Sequence, residues 1–245
     1  MSVIRPHQSR IQQFFRSAPT PCPYIAGRVE RKLFTRLEGS DAAQLNSTLT
    51  QAGFRRSHDV IYRPVCQGCN ACVPVRIPVN RFEPSASQKR IIKRNTELNS
   101  DLLAPIATDE QYALFRRYQR HRHGGGDMAQ MGPADYQAMV EEGGVAGAVL
   151  EIRDCDNALV ATMLMDRLRD GVSAVYSFFD PDRPKNSLGT YMILALVDAV
   201  LAAGGEHVYL GYWIRESEKM AYKARFRPIQ ALGPNGWRDL HPLAG

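Results

Sequence analysis

The sequence predicts a mixed α+β protein, and three observations carry that prediction. Residues 145–179 hold three successive apolar runs separated by turn signals. A helix-length apolar run closed by a glycine pair follows over 188–205, and a further strand, helix and strand complete the chain. With 245 residues and 44% hydrophobic composition, the chain can bury one large core or two smaller ones. It holds no apolar run of about eighteen residues, and Met1 to Arg10 has no signal-like apolar segment. The expectation is a cytoplasmic protein with no membrane segment.

The first hundred residues are turn-rich. Residues 41–52 read as a helix, with Ser40 or Asp41 as N-cap, Ala42, Leu45 and Leu49 along one face, and Gly53 as its stop. Residues 60–62 and 73–77 read as short strands flanking Cys66-Gln67-Gly68-Cys69-Asn70-Ala71-Cys72, which puts the thiols on a connecting loop. Ser85-Ala86-Ser87 opens a helix on which Lys89, Arg90, Lys93 and Arg94 share one flank while Ile91 and Ile92 face away. Thr108 and Gln111 form a capping box for a helix that carries Tyr112, Phe115 and Tyr118 towards His121 and stops at Gly124-Gly125-Gly126. Residues 145–152, 159–168 and 172–179 then read as an antiparallel meander with turns at 154–157 and 169–171. A helix over 188–203, a strand over 208–212, a helix over 217–224 and a strand over 228–232 follow.

The order of the second half, β-β-β-α-β-α-β, is by analogy of topology that of the GNAT acyltransferase core. The expected organisation is therefore a GNAT-like domain over 101–245 behind a basic, cysteine-containing α+β domain over 1–100. Charge separates the two halves. Residues 1–100 carry 16 Lys+Arg against 6 Asp+Glu, and residues 101–245 carry 15 against 19. A basic half of this kind suits a polyanion, nucleic acid first, because cations on phosphates release condensed counterions. In acetyl-CoA enzymes of this topology a glycine-rich turn opens the helix after the meander and holds the pyrophosphate. Here that junction reads Asp180-Pro181-Asp182-Arg183-Pro184-Lys185-Asn186-Ser187-Leu188-Gly189 and lacks the glycine pair. An acyltransferase-like half without that loop, joined to a basic half, points to an acyl group carried on RNA, an aminoacyl-tRNA.

Three of the five cysteines fall in the Cys66 to Cys72 run, and Cys22 is the obvious fourth thiol, since Cys155 lies far downstream. Two readings stand: Cys22, Cys66, Cys69 and Cys72 ligate zinc or an iron–sulfur cluster, or they are reduced, part-buried thiols. An odd count so clustered does not resemble a secreted disulfide framework and fits a reducing compartment better.

Several blocks together carry a resemblance. Gly53-Phe54-Arg55-Arg56-Ser57-His58, Tyr62-Arg63-Pro64, Cys66 through Ile77, Ser87-Gln88-Lys89-Arg90, Tyr176 through Pro181, Ser187-Leu188-Gly189-Thr190, Tyr209 through Ile214 and Lys219-Met220-Ala221-Tyr222-Lys223 resemble the aminoacyl-tRNA protein transferase family, in family order over nearly the whole chain. The form of the cysteine run resembles the bacterial aspartate/glutamate leucyltransferase branch. That resemblance implies transfer of leucine from leucyl-tRNA to proteins beginning with Asp or Glu, marking them for degradation by the N-degron route. Ile25 stands where the eukaryotic relatives have the second cysteine of their first pair, so their metal binding does not carry over directly. The alternatives are an arginyl-tRNA-dependent transferase, a CoA-dependent N-acyltransferase and a metal-stabilised RNA-binding module.

The donor ester is already activated, so no cofactor is required, and positioning does most of the work. Arg76, with Lys93 or Arg94, is expected to grip the acceptor carboxylate. The reacting centre is expected at the end of the third meander strand: Asp180 as orienting or deprotonating carboxylate, or as the cap of its turn, with Tyr176 or Tyr222 as hydrogen-bond donors to the oxyanion or leaving oxygen. Lys89, Arg90, His121, Arg122, His123, Lys219 and Lys223 are expected to meet the tRNA. Met128 and Met131 line a leucine pocket or have a plain loop or core role, and Tyr24, Phe82 and Trp213 are the rings available to stack on the terminal adenosine.

Overall fold

The computed structural model describes residues 12–122, 127–142 and 144–240. In chain order the strands are β1 (Phe15–Arg16), β2 (Thr20–Pro21), β3 (Val29–Glu30), β4 (Lys32–Arg36), β5 (Arg55–Ser57), β6 (Val60–Pro64), β7 (Val73–Pro78), β8 (Asn99–Leu103), β9 (Gly147–Arg153), β10 (Leu159–Leu168), β11 (Gly171–Phe179), β12 (His207–Trp213), β13 (Gln230–Gly233) and β14 (Gly236–Asp239). The helices are α1 (Ala42–Gln51), α2 (Ala86–Arg94), α3 (Asp109–Arg122), α4 (Pro133–Glu141), α5 (Leu188–Ala202) and α6 (Glu218–Ala221).

The large sheet runs β14-β13-β7-β12-β11-β10-β9-β8, and a smaller sheet runs β1-β4-β6-β5. The antiparallel β9-β10-β11 meander stands where the sequence places it. Its centre, β10, is buried at eight successive positions because layers cover both faces, so its sequence reads as a continuous apolar run. Ala161, Met163 and Met165 meet α5, whose Leu188, Met192, Leu196 and Val200 bury one flank on the sheet, together with Ile91 and Ile92 of α2. Leu164 faces the other way, into a cluster with Phe115 of α3 and Tyr136 and Met139 of α4. The capping box expected at Thr108 forms, with Gln111 N donating to Thr108 Oγ1, and Ser85 and Gln88 make a second one at the start of α2.

Several elements go beyond or depart from the sequence reading, among them the short strands β1 to β5 and the C-terminal β14. β8 has every residue exposed and so lacks the alternation that marks a strand; it forms by pairing with the edge of β9. α4 begins at Pro133 and is closed by Gly132 N donating to the Asp135 carboxylate at 2.8 Å, although Met131-Gly132-Pro133 reads as a loop. The helix expected over 217–224 is α6 followed by a 3₁₀ turn at Tyr222–Arg225. His123 and the Gly124–Gly126 stop lie outside the described residues.

Both sides of position 100 build the large sheet, because β7 lies between β12 and β13. The smaller sheet is tied to the large one by a buried ion pair. Arg56 Nε donates to both oxygens of Asp166 at 2.9 and 2.8 Å, Asn46 Nδ2 of α1 donates to the same carboxylate at 3.1 Å, and Arg56 Nη1 donates to the His58 carbonyl. Asp166 is fully buried. Removing one partner of such a pair leaves a stranded charge, so Asp166→Ala should lower the unfolding free energy by about 3–5 kcal/mol in urea titrations. The double replacement Arg56→Met/Asp166→Leu should lose less than Asp166→Ala alone; a loss below about 1 kcal/mol in the single variant would show that the pair does not hold the two sheets together.

Candidate active site at an opening in the large sheet

Among the described residues the one parallel pair in the large sheet is β11 with β12, and its ladder covers just Gly171–Ser173 against His207–Tyr209. Beyond that point the two strands continue to Phe179 and Trp213 without pairing, and the sheet is open. Irregularities in both strands mark the opening: the β10–β11 register shifts at Val175, and the β12–β7 register shifts at Leu210.

An opened ladder leaves carbonyls without partners, and two cations fill that role. Arg55, from β5 of the smaller sheet, donates Nη2 to the Val175 carbonyl at 2.5 Å and Nη1 to the Leu210 carbonyl at 3.3 Å, spanning the gap. Lys223 Nζ donates to the Leu210 and Tyr212 carbonyls at 2.8 and 2.7 Å. Lys223 is 5% exposed, and burial, reinforced by the Arg55 charge, pulls its ammonium well below the ordinary lysine range. Gly211 makes the arrangement possible. Its φ is +72°, and a Cβ there would lie 1.8 Å from Arg55 Nη1.

A cavity of about 60 Å³ lies in this opening, lined by Arg55, Tyr176, Ser177, Leu210, Tyr222 and Lys223 among others. The C-terminal half of α3 lies alongside. Gln119 Nε2 donates to Tyr176 Oη at 2.6 Å, Tyr118 packs on Phe179 at 5.0 Å between ring centres, and the exposed Arg122 guanidinium lies 6.0 and 5.9 Å from the Tyr118 and Phe179 rings. Burial pushes the hydroxyls of Tyr118, Tyr176 and Tyr222 upward, so all three are proton donors at neutral pH. Because Tyr176 accepts from Gln119, its own proton is free to be donated. The arrangement offers hydroxyl donors and fixed positive charge in a partly dry cleft, which stabilises negative charge developing on an acyl carbonyl.

Tyr176 and Tyr222, expected at the reacting centre, are thus brought together. Asp180 is not brought to the cavity wall; its oxygens accept from Arg117 at 2.5 Å, pair with Arg183 at 3.4 Å and receive Asp182 N at 3.0 Å. It caps the turn after β11 and is paired with two guanidiniums. Arg76 is also committed: Nε donates to Gln230 Oε1 at 2.8 Å, Nη1 to Tyr209 Oη at 3.0 Å, Asp170 lies 3.8 Å away, and Trp237 stacks at 4.5 Å. Its carboxylate position is filled by this protein's own Asp170. Lys93 and Arg94 do not accompany it, because Val75 and Ile77 meet the α2–α5 layer and pleating turns Arg76 to the opposite face. Arg94 instead donates to the Lys185 carbonyl.

Among the cations expected to meet tRNA, Lys89, Arg90, His121, Arg122 and Lys219 are exposed, whereas Lys223 is held inside by the strand carbonyls. Met128 and Met131 pack against the α3–α4 cluster. Phe82 and Trp213 are part of the α5-side core, while Tyr24 lies near Arg55 and Tyr62, its hydroxyl pushed up to about 12 by burial. The four thiols share one neighbourhood: burial together with Cys66, Cys22 and Cys69 pushes the Cys72 thiol up to about 12. Among the described residues, however, no three His, Cys, Asp or Glu side chains converge as ligands of one ion. As placed, the thiols do not fit a metal, and no chemical step is routed through one.

Sequence reasoning missed Arg55, Gly211, Tyr118 and Gln119 as site residues. The available signal was the Arg55-Arg56 doublet in a strand, whose two side chains must leave by opposite faces, and the glycine inside Tyr209-Leu210-Gly211-Tyr212.

Comparison with known proteins fixes the family. Residues 20–90 match the N-terminal part, and residues 110–233 the C-terminal part, of the family described as arginine-tRNA-protein transferase. The chain belongs to this family. It is 50% identical over 232 residues to the aspartate/glutamate leucyltransferase of Paramagnetospirillum magneticum, covering 95% of each chain. It is 50% identical over 231 residues to that of Granulibacter bethesdensis, covering 94% of this chain and 86% of the relative. These relatives place it in the aspartate/glutamate leucyltransferase branch. Among solved structures, L-PGS from Bacillus licheniformis overlays 59% of this chain and 47% of its own at TM-score 0.47 and 14% identity. No helix among the described residues is long and apolar enough to cross a membrane.

Within this transferase the Gly211 position is testable without substrate. Gly211→Ala should displace Arg55 and lower the unfolding free energy by roughly 1–3 kcal/mol, through left-handed backbone strain and the uncapped Val175 carbonyl. Stability within about 0.5 kcal/mol of the parent would show that Arg55 does not need this approach.

Proposed function

We propose that this protein transfers leucine from leucyl-tRNA to the N-terminal amine of proteins that begin with Asp or Glu, in the cytoplasm and as a mark for degradation by the N-degron route. One observation carries the reading: near-complete alignment at 50% identity with enzymes named aspartate/glutamate leucyltransferase. The geometry supports it. The ester carbonyl is taken to sit in the β11–β12 opening, where Tyr176, oriented by Gln119, donates to the oxyanion, and Tyr222 donates to the same oxygen or to the departing ribose hydroxyl. Arg55 keeps the cleft open and electropositive. The exposed Lys89, Arg90 and Lys219 are assigned to tRNA phosphates.

For the acceptor carboxylate we assign Arg122 in place of Arg76. It stands beside the tyrosine cluster, stacked against Tyr118 and Phe179, and has no ion-pair partner among the described residues. The reaction as drawn uses no metal or redox group.

The test supplies the purified protein with leucyl-, arginyl- or phenylalanyl-tRNA and with peptides differing only in their first residue, and weighs the products. A product one leucine heavier from Asp and Glu peptides is expected; a product from arginyl-tRNA alone would overturn the donor assignment. Arg122→Glu should lower kcat/KM for the Asp peptide by roughly 10- to 100-fold, the worth of one charged hydrogen bond. An unchanged preference for acidic peptides in that variant would remove Arg122 from acceptor recognition.

A further inference from the structure

We propose that the face of the smaller sheet turned away from α1 is a stacking platform for the single-stranded 3′ end of the aminoacyl-tRNA. The inference rests on the aminoacyl transfer proposed above and names the surface that leads its donor to the cleft. One residue from each strand of the β1-β4-β6-β5 sheet falls in a single cross-strand row: Phe15 stands opposite Phe34, Phe34 opposite Tyr62, and Tyr62 opposite Arg55. Pleating puts such a row on one face. The positions beside it, Leu33, Ile61 and Phe54, leave by the other face and form a core cluster with Leu45 and Leu49 of α1. Among the described residues, Phe15, Phe34 and Tyr62 belong to none of the core clusters. Phe15 is 49% exposed, its ring lies 5.8 Å from that of Phe34, and Phe34 and Tyr62 are half-buried. Three aromatic rings are thus lined up on a surface where packing does not call for them.

The row has a direction. Its inner end is Arg55, the guanidinium that spans the β11–β12 opening, and there the Tyr62 ring stands 6.2 Å from that of Tyr212 with Tyr24 beside it. Its outer end, Phe15, lies on the edge strand β1. With strands about 4.8 Å apart, the four positions cover roughly 14 Å, room for a few nucleotides leading away from the ester. The surface is continuous with the cleft in which the ester carbonyl is taken to sit.

Charge on this face suits the same occupant. On β4, Lys32 and Arg36 stand two positions either side of Phe34 and so share its face. Lys32 Nζ lies 4.9 Å over the Tyr62 ring and 3.1 Å from Glu30, while Arg36 pairs at 3.3 Å with Glu38 where both side chains are exposed and the pair holds weakly. Rings interleaved with cations are what an unpaired strand requires, because every base has a π-face to stack and every phosphate attracts a cation. The donor ester sits on the terminal ribose of such an unpaired end. The acceptor peptide brings one amine and one carboxylate, and neither calls for a row of rings.

The test gives the full chain two uncharged RNA hairpins with one acceptor-stem sequence, one blunt and one carrying a four-nucleotide single-stranded 3′ tail. The parent should bind the tailed hairpin about 10-fold more tightly or better. Phe15→Leu keeps an apolar side chain on the exposed strand but removes its π-face; it should weaken binding of the tailed hairpin by about 5- to 100-fold and leave the blunt one unchanged. Phe15→Tyr should restore the parent affinity. Lys32→Gln should lower the slope of log affinity against log salt for the tailed hairpin by about 0.7, whereas Phe15→Leu should leave that slope alone. Equal binding of the two hairpins by the parent, or parent-like affinity of Phe15→Leu for the tailed one, overturns the proposal. So does a Phe15→Leu variant whose KM for an Asp peptide rises while hairpin binding holds, because the face would then serve the acceptor. If Phe15→Leu fails to fold, the parent decides: 4-thiouridine in the tail should photo-cross-link to β1 or β4, and cross-links confined to other elements refute the platform. Failure of the parent to transfer from any charged tRNA would instead refute the reaction itself, and hairpin binding is read separately from it.

Discussion

A β-sheet cannot be opened in the middle of a protein unless something replaces the missing ladder, and the rest of this structure follows from that constraint. Buried backbone carbonyls without partners are costly, so a gap between two interior strands closes or fills. Here the carbonyls of Val175, Leu210 and Tyr212 are met by two side chains, Arg55 and Lys223, drawn from opposite ends of the sequence. Both are cations with several donors and no acceptor, the chemistry a row of carbonyls requires. The cleft that results is wide enough for a reacting group and lined by the atoms that hold it apart.

Delivering Arg55 to that place depends on its neighbour. In a strand, adjacent side chains leave by opposite faces, so Arg56 points away from Arg55 and into the interior, where the Asp166 carboxylate, itself held by Asn46 Nδ2, receives it. A buried ion pair of this type contributes little net stability compared with a well-packed apolar pair, because desolvation offsets most of the Coulomb attraction. Its effect is placement: the pair anchors β5 to β10 in a single position, and that position aims Arg55 at the gap. Tyr212 closes the connection from the other side, its hydroxyl shared between the carbonyls of Gly53 and Tyr62. The smaller sheet is thus a tool for holding one guanidinium, and its separation from the second half at residue 100 is a matter of sequence more than of packing.

The elements legible in the sequence were those whose signal is local. The meander, the capped helices and the long apolar α5 each announce themselves by periodicity or by cap residues within a few positions. β8 was not legible, since its five exposed residues become a strand only against the edge of β9. The site was half legible for the same reason. Tyr176 and Tyr222 were found because they lie in motif blocks at the end of the meander and in the last helical turn. Arg76 and Asp180 misled because a charged residue in a strand looks available until its partners are known, and both partners, Asp170 and Arg117, are distant in sequence. Lys223 erred the other way: a lysine between Tyr222 and Ala224 reads as a surface cation, and only the opened edge of β12 explains why it is inside.

The sign of the charge in this cleft is what unites its tasks. Arg55, Lys223 and Arg122 gather around three tyrosine hydroxyls, and no carboxylate lines the cavity. A positive field in a partly desolvated space favours each species the reaction needs. It lowers the proton affinity of an incoming amine, stabilises the oxyanion of a tetrahedral intermediate, and attracts both an RNA acceptor stem and an acidic first residue. A carboxylate base placed here would raise the amine's proton affinity and repel the acidic acceptor, undoing two of those effects to gain one. Under the proposed reading, attraction of an acidic first residue and stabilisation of the oxyanion share one electrostatic arrangement, and a change that weakens one should weaken the other.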